Sequence, residues 1–190
     1  FTPGSAFYQA IGRLTPTAKV PVLVEDDGFA VWDTLAITET IAESHPELAI
    51  WPRERRARAR ARSLCAEMHA GFGSLRSLCP MNVEAQLHEV GARLMAAEDG
   101  LRRDLARIDQ LWSEALQASG GPFLFGDFGA ADAYFAPVVM RVTRYGLSLS
   151  PAAAAYAQAV ERNAGVAAWV ADALAERDFL DFEEPYRQQA

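Results

Sequence analysis

The residues best suited to holding a small polar ligand lie between Lys19 and Ile41. Val20-Pro21 opens an apolar run, Val22 to Val24. The acidic turn Asp26-Asp27-Gly28 follows, then a second run, Phe29 to Trp32, and then Asp33-Thr34 at the head of a helical pattern. Two readings of Val20-Pro21 stand. A cis bond would leave the Val20 N–H and C=O turned outward for a ligand, whereas a trans proline would simply start a strand, where its missing N–H is tolerated. Asp33 and Thr34 also read two ways. A helix N-terminus carries unpaired N–H groups and partial positive charge, so it holds carboxylates. Either residue is equally a plain helix N-cap.

Other chemistry-bearing side chains are scattered. His45, His69 and His88 form no metal-ligand spacing with acids, and Cys65 and Cys79 give neither a disulfide framework nor a metal pair. The cysteines read as small core residues of a reduced protein, which points to the cytoplasm. His69 has no partner acid identifiable from the sequence, so it reads as a structural or cleft-lining residue rather than a general base.

These residues need elements to position them. Asp-Asp-Gly supplies hairpin turn chemistry, since glycine takes positive φ without strain. A helix over 34–44 carries Leu35, Ile37, Ile41 and Ala42 on one face. Residues 46–52 hold Pro46 and Pro52 with no periodicity and read as a linker, in which Ile50 and Trp51 plug the junction or Trp51 lines a site. The arginine- and alanine-rich run from Arg53 to Arg62 reads as a solvated helix start. A dimer contact is the next reading, and an anion site the last. One helix is predicted to continue through Leu64, Met68, Phe72, Leu75 and Cys79 to the stop at Pro80. A single long helix is predicted over 83–118, ended by Ser119-Gly120-Gly121-Pro122. Another starts near Gly129, with Asp132 capping its first turn as a structural residue and Pro137 kinking it. Two short helices are predicted within 150–177, and a tail with Phe179, Phe182, Pro185 and Tyr186 packs back on the domain. Residues 1–18 offer one helical turn around Phe7 to Ile11.

With 190 residues and 51% hydrophobic content the chain can bury a core. Its net charge of −7 argues against nucleic-acid binding, and no stretch approaches the roughly 20 apolar residues of a membrane span.

The order Lys-Val-Pro, hairpin, then acid-hydroxyl-x-Ala-Ile before a helix resembles the second half of the glutathione-binding domain of cytosolic glutathione transferases. Phe123 to Tyr134 resembles the folding signature of their helical domain, Gly-x-x-(Ser/Thr)-x-Ala-Asp, with Gly129 where Ser or Thr is usual. The segment Ala66 to Phe72, with Pro80-Met81-Asn82, resembles a bacterial branch of that family. The resemblance implies an α+β protein: a partial thioredoxin-like domain over 1–45, a linker over 46–52 and an all-helical domain over 53–190. It implies a cis Pro21, a Val20 backbone that pairs with the cysteinyl part of glutathione, and Asp33 and Thr34 on the γ-glutamyl end, with Lys19 on the glycyl carboxylate. Met68, His69 and Phe72 then line the place of a small-molecule electrophile. The expected activity is glutathione transfer by a homodimer, with no nucleic-acid or membrane partner and no metal; a non-catalytic module of the same fold is the alternative. A thioredoxin-like domain needs a βαβ unit before Lys19, which takes roughly 30 residues. Only 18 precede it and there is no initiating Met, so the chain is expected to lack its first strand and helix. The thiol-activating residue is expected in that segment. Ser5 and Tyr8 follow no predicted strand, and no catalytic residue is assigned.

Overall fold

The computed structural model describes residues 4–176 and 184–186, and the chain forms two compact units, Phe1–Ile50 and Trp51–Ala190. The first begins with α1 (Ala6–Leu14), whose Ser5 cap accepts a hydrogen bond from the Tyr8 N–H. Strands β1 (Val22–Val24) and β2 (Ala30–Trp32) pair antiparallel, with Val22 opposite Trp32, Leu23 opposite Val31 and Val24 opposite Ala30. The turn works as its residues dictate. Gly28 sits at φ 89°, and the Asp27 carboxylate accepts from the Phe29 N–H at 2.9 Å. Helix α2 (Thr34–Ser44) follows. Among the described residues this unit buries only Ile11 and Thr15 fully, while Val20, Phe29 and Leu48 are more than half exposed.

The second unit is helical. Helix α3 (Arg55–Ala70) starts on Glu54, whose carboxylate accepts from the Ala57 N–H at 2.7 Å. The predicted continuous helix from here to Pro80 is in fact two. Helix α3 ends at Gly71, Phe72 takes the left-handed φ of 57°, and α4 (Gly73–Leu78) restarts. A Cβ at position 71 would lie 2.6 Å from the Glu67 carbonyl oxygen, so the glycine is what lets the chain leave the helix there.

The predicted helix over 83–118 is likewise two. The Asn82 side chain accepts from the N–H groups of Glu84 and Ala85, holding that stretch in a turn. Helix α5 (His88–Ala97) then stops at the extended Glu98, and α6 (Asp99–Ser119) begins. Gly100 permits a close approach, because a Cβ there would lie 2.3 Å from Ser74 Oγ. Helix α6 ends on Gly120 at φ 82°, as its sequence predicts.

Helices α7 (Ala130–Arg144), α8 (Pro151–Arg162) and α9 (Ala164–Glu176) complete the unit. Trp112, fully buried on α6, meets Phe135 of α7 and Tyr156 of α8 edge to face at 5.7 and 4.9 Å. Cys65 and Cys79 are buried thiols, as expected of small core residues. The α+β class read from the sequence is the class observed. Of the predicted tail contacts, Phe179 and Phe182 lie outside the described residues. Tyr186 does pack back, donating to the Leu78 carbonyl at 2.8 Å and meeting the Tyr145 ring at 6.0 Å. Among the described residues no helix is long and apolar enough to cross a membrane, and no cluster of His, Cys, Asp or Glu could hold a metal.

Candidate functional site

In the first unit the hairpin register does the positioning. Val22 faces Trp32, so the residues one step beyond, Pro21 and Asp33, stand at the same end of the ribbon. Strand pairing thus brings Val20-Pro21 and Asp33-Thr34 together although eleven residues of chain lie between Pro21 and Asp33. The Val20–Pro21 peptide is cis. Val20 is 61% exposed, and Lys19 and Pro21 are exposed beside it. Asp33 caps α2 through Oδ1, which accepts from the Leu35 N–H at 2.9 Å. Its backbone sits at φ 75°, ψ 130°. Such a conformation is costly for a residue with a side chain, of order 1–3 kcal/mol, and persists where the surroundings hold it for use. The half-buried Thr34 begins the helix, so its hydroxyl and the first N–H groups of α2 share one small region with the Asp33 carboxylate. A dipolar ligand carrying both an amine and a carboxylate matches that set.

In the second unit α3, α4 and α7 enclose a cavity of about 580 Å³. Met68, Phe72, Pro80 and Val138 supply apolar wall, and Arg76 and Arg141 supply charge. The wall is braced from behind. Asp104 of α6 accepts from the Leu75 N–H at 3.0 Å, and the Tyr145 hydroxyl donates to the Pro80 carbonyl at 3.2 Å. Burial pushes the adjacent Cys79 thiol up to about 12, with the Arg141 guanidinium pulling the other way, so Cys79 stays a neutral thiol. Of the three residues the resemblance places against an electrophile, Met68 and Phe72 line this cavity. His69 is exposed on the last turn of α3 and is not among the lining residues.

Arg141 was not singled out from sequence, though it is the one charge in the run Val138-Val139-Met140-Arg141-Val142. A lone cation in an otherwise apolar helical stretch was the available signal. Asp132 is the structural residue it was expected to be. Its two oxygens accept from the Leu124 and Gly129 N–H groups at 3.1 and 2.9 Å, and it is 1% exposed. Burial raises its carboxyl, while those two N–H groups and the facing Tyr156 hydroxyl, which makes no well-aligned hydrogen bond, act against the rise.

No family model matches the chain. It is 29% identical over 140 residues to a probable maleylacetoacetate isomerase of Caenorhabditis elegans, covering 73% of this chain and 63% of that protein. It is 28% identical over 149 residues to the maleylacetoacetate isomerase of Rattus norvegicus, covering 78% and 65%. The chain thus spans somewhat less than two thirds of the length of these relatives. Among solved structures, a glutathione transferase homolog from Burkholderia with bound glutathione superposes with a TM-score of 0.58 at 25% identity, covering 85% of this chain and 76% of that one. The resemblance read from the sequence therefore holds in the folded chain: its solved neighbours include glutathione transferases, and it shares their fold.

Proposed function

We propose that the protein binds glutathione on its first unit and uses it on a small electrophile seated in the cavity of the second. The observation that carries this is Asp33. A carboxylate in a left-handed backbone conformation caps α2 at the end of the hairpin where Val20 and the cis Pro21 lie exposed. The Asp33 carboxylate suits the γ-glutamyl amine, Thr34 and the α2 N-terminus suit its carboxylate, and the Val20 backbone suits the cysteinyl amide. Lys19 suits the glycyl carboxylate.

Glutathione's thiol, with a pKa near 8.5 unaided, must be held as thiolate to react at neutral pH. The thiolate then forms a C–S bond to the electrophile, and either a leaving group departs or a carbanion takes up a proton. The relatives named maleylacetoacetate isomerase favour a second outcome. A thiolate that adds to an activated double bond leaves a single bond free to rotate, and its departure restores the double bond and the thiolate. Transfer consumes one glutathione per turnover; isomerisation consumes none. Family likeness supports a homodimer acting in the cytoplasm.

The test is a calorimetric titration of the full-length natural protein with glutathione. Saturable binding is expected, and Asp33→Ala should weaken it by about 2 kcal/mol, roughly thirtyfold, as for loss of a charged hydrogen bond. No binding at millimolar glutathione by folded protein would remove this reading and leave a non-catalytic module of the same fold. With binding established, thiol titration during turnover separates transfer from isomerisation.

A further inference from the structure

We infer that Thr15 is a positioning residue for glutathione: its buried hydroxyl fixes the loop over 15–19 in the shape that presents Lys19 to the glycyl carboxylate. This deepens the proposed function and rests on it. Among the described residues Thr15 and Asp132 are the two buried polar side chains, 2% and 1% exposed. Asp132 ties a loop to α7. Thr15 lies in the first unit, where Ile11 is the one buried apolar side chain among the described residues. A buried hydroxyl is costly unless it is hydrogen-bonded, and this one is bonded to the loop that follows it. Thr15 ends α1, its N–H donating to the Ile11 carbonyl at 3.0 Å. Its hydroxyl oxygen accepts from the Thr17 N–H at 3.3 Å and pairs with the Thr17 hydroxyl at 3.0 Å. Its carbonyl accepts from the Ala18 N–H at 3.3 Å.

Those bonds hold a turn that the chain would not otherwise take. Ala18 sits at φ 50°, in the left-handed region that a residue with a side chain disfavours. Lys19 leaves directly from that turn and is exposed. An ammonium on a flexible four-carbon stem has no fixed geometry of its own, so the backbone that carries it decides what it reaches. Without the Thr15 hydroxyl the Thr17 N–H loses its acceptor, Ala18 relaxes toward ordinary φ, and Lys19 swings away. The rest of the ligand does not depend on this loop. Strand pairing holds the chain from Val22 onward, and Asp33 and Thr34, assigned to the γ-glutamyl end, stand at the hairpin end and the start of α2. The loss therefore falls on the glycyl carboxylate alone.

The probes are glutathione and its glycyl amide, which differ only in the terminal carboxylate, titrated calorimetrically into the full-length protein. Glutathione is expected to bind about fivefold more tightly, the scale of one exposed ion pair. Thr15→Val keeps the branched shape and removes the hydroxyl. It should shrink that margin below about twofold while leaving the amide's affinity within about twofold. Thr15→Ser keeps the hydroxyl and should keep the margin. Lys19→Gln should remove the margin by itself, and adding Thr15→Val to it should remove nothing more, since both act through one contact. Thr17→Ala, at an exposed position, takes away the hydroxyl's partner; it should remove part of the margin and serves if Thr15→Val does not fold. A margin that survives Thr15→Val, or Thr17→Ala where that variant stands in, would overturn the inference. So would a loss shared equally by both probes, which is what a residue that merely stabilises α1 would give. Glutathione binding with no margin in the unsubstituted protein sinks this inference and leaves the transferase reading standing. Binding of neither probe sinks the transferase reading and this one with it.

Discussion

A single buried carboxylate ties a loop to a helix in this chain. Asp132 takes two backbone N–H groups, one from Leu124 and one from Gly129, and so fixes the segment before α7 against the first turn of that helix. Removing it strands both donors, the Leu124 N–H in a buried place and the Gly129 N–H in a half-buried one. Asp132→Ala is therefore expected to cost about 3 kcal/mol of stability, measured by urea unfolding, with Asp132→Asn costing less because an amide oxygen still accepts one bond. The residue was legible beforehand because capping acids announce themselves by position, three residues into a helix. Asp33 was legible for a different reason: acid, hydroxyl and helix start fall together in sequence. Arg141 was not, since its meaning depends on α4 and α3 closing around it, and nothing in its own neighbours states that.

At the level of elements, short-range signals proved more legible than long-range ones. The Asp-Asp-Gly turn set the hairpin, and Ser119-Gly120 ended α6, because both depend on local backbone freedom. The two breaks that periodicity missed lie at Gly71-Phe72-Gly73 and at Glu98. In each case the apolar stripe continues in phase on the far side, so spacing alone cannot register the interruption. Some glycines carry information that spacing does not, where backbone approaches closely. Gly91 on α5 is the sharpest case. A Cβ there would lie 1.9 Å from the Tyr145 carbonyl oxygen, beside the hydrogen bond that the Leu87 N–H donates to the Arg144 carbonyl at 2.7 Å. Gly91→Ala must push α5 away from the end of α7, at an expected cost of about 1–3 kcal/mol. Thermal unfolding of the variant checks this, and an unchanged midpoint would mean that the two helices do not meet there.

For the whole molecule, the buried acids of weak acidity govern behaviour in alkali. Burial holds Cys79 up at about 12 against an ordinary 9.0, and it raises the tyrosine hydroxyls of 145, 156 and 186 as well. Each group keeps its proton in the fold longer than in the unfolded chain. The folded state therefore holds more protons than the unfolded chain as pH rises past about 9, so the contribution of these groups to stability falls from there upward. The urea midpoint against pH should show this, and Cys79→Ala should move the onset toward the range where the tyrosines titrate. The aromatic core of Trp112, Phe135 and Tyr156 anchors the second unit, whereas the first has Ile11 as its one fully buried apolar side chain among the described residues. That contrast was invisible in composition, which is apolar in both. The division at Ile50 and Trp51 also has a bearing on descent. The groups assigned to glutathione all precede it, and the groups assigned to the second ligand all follow it. If the proposed function holds, inherited changes in the helices that line the second unit's cavity would redirect the electrophile while the hairpin and its helix start pass unaltered from one lineage to the next.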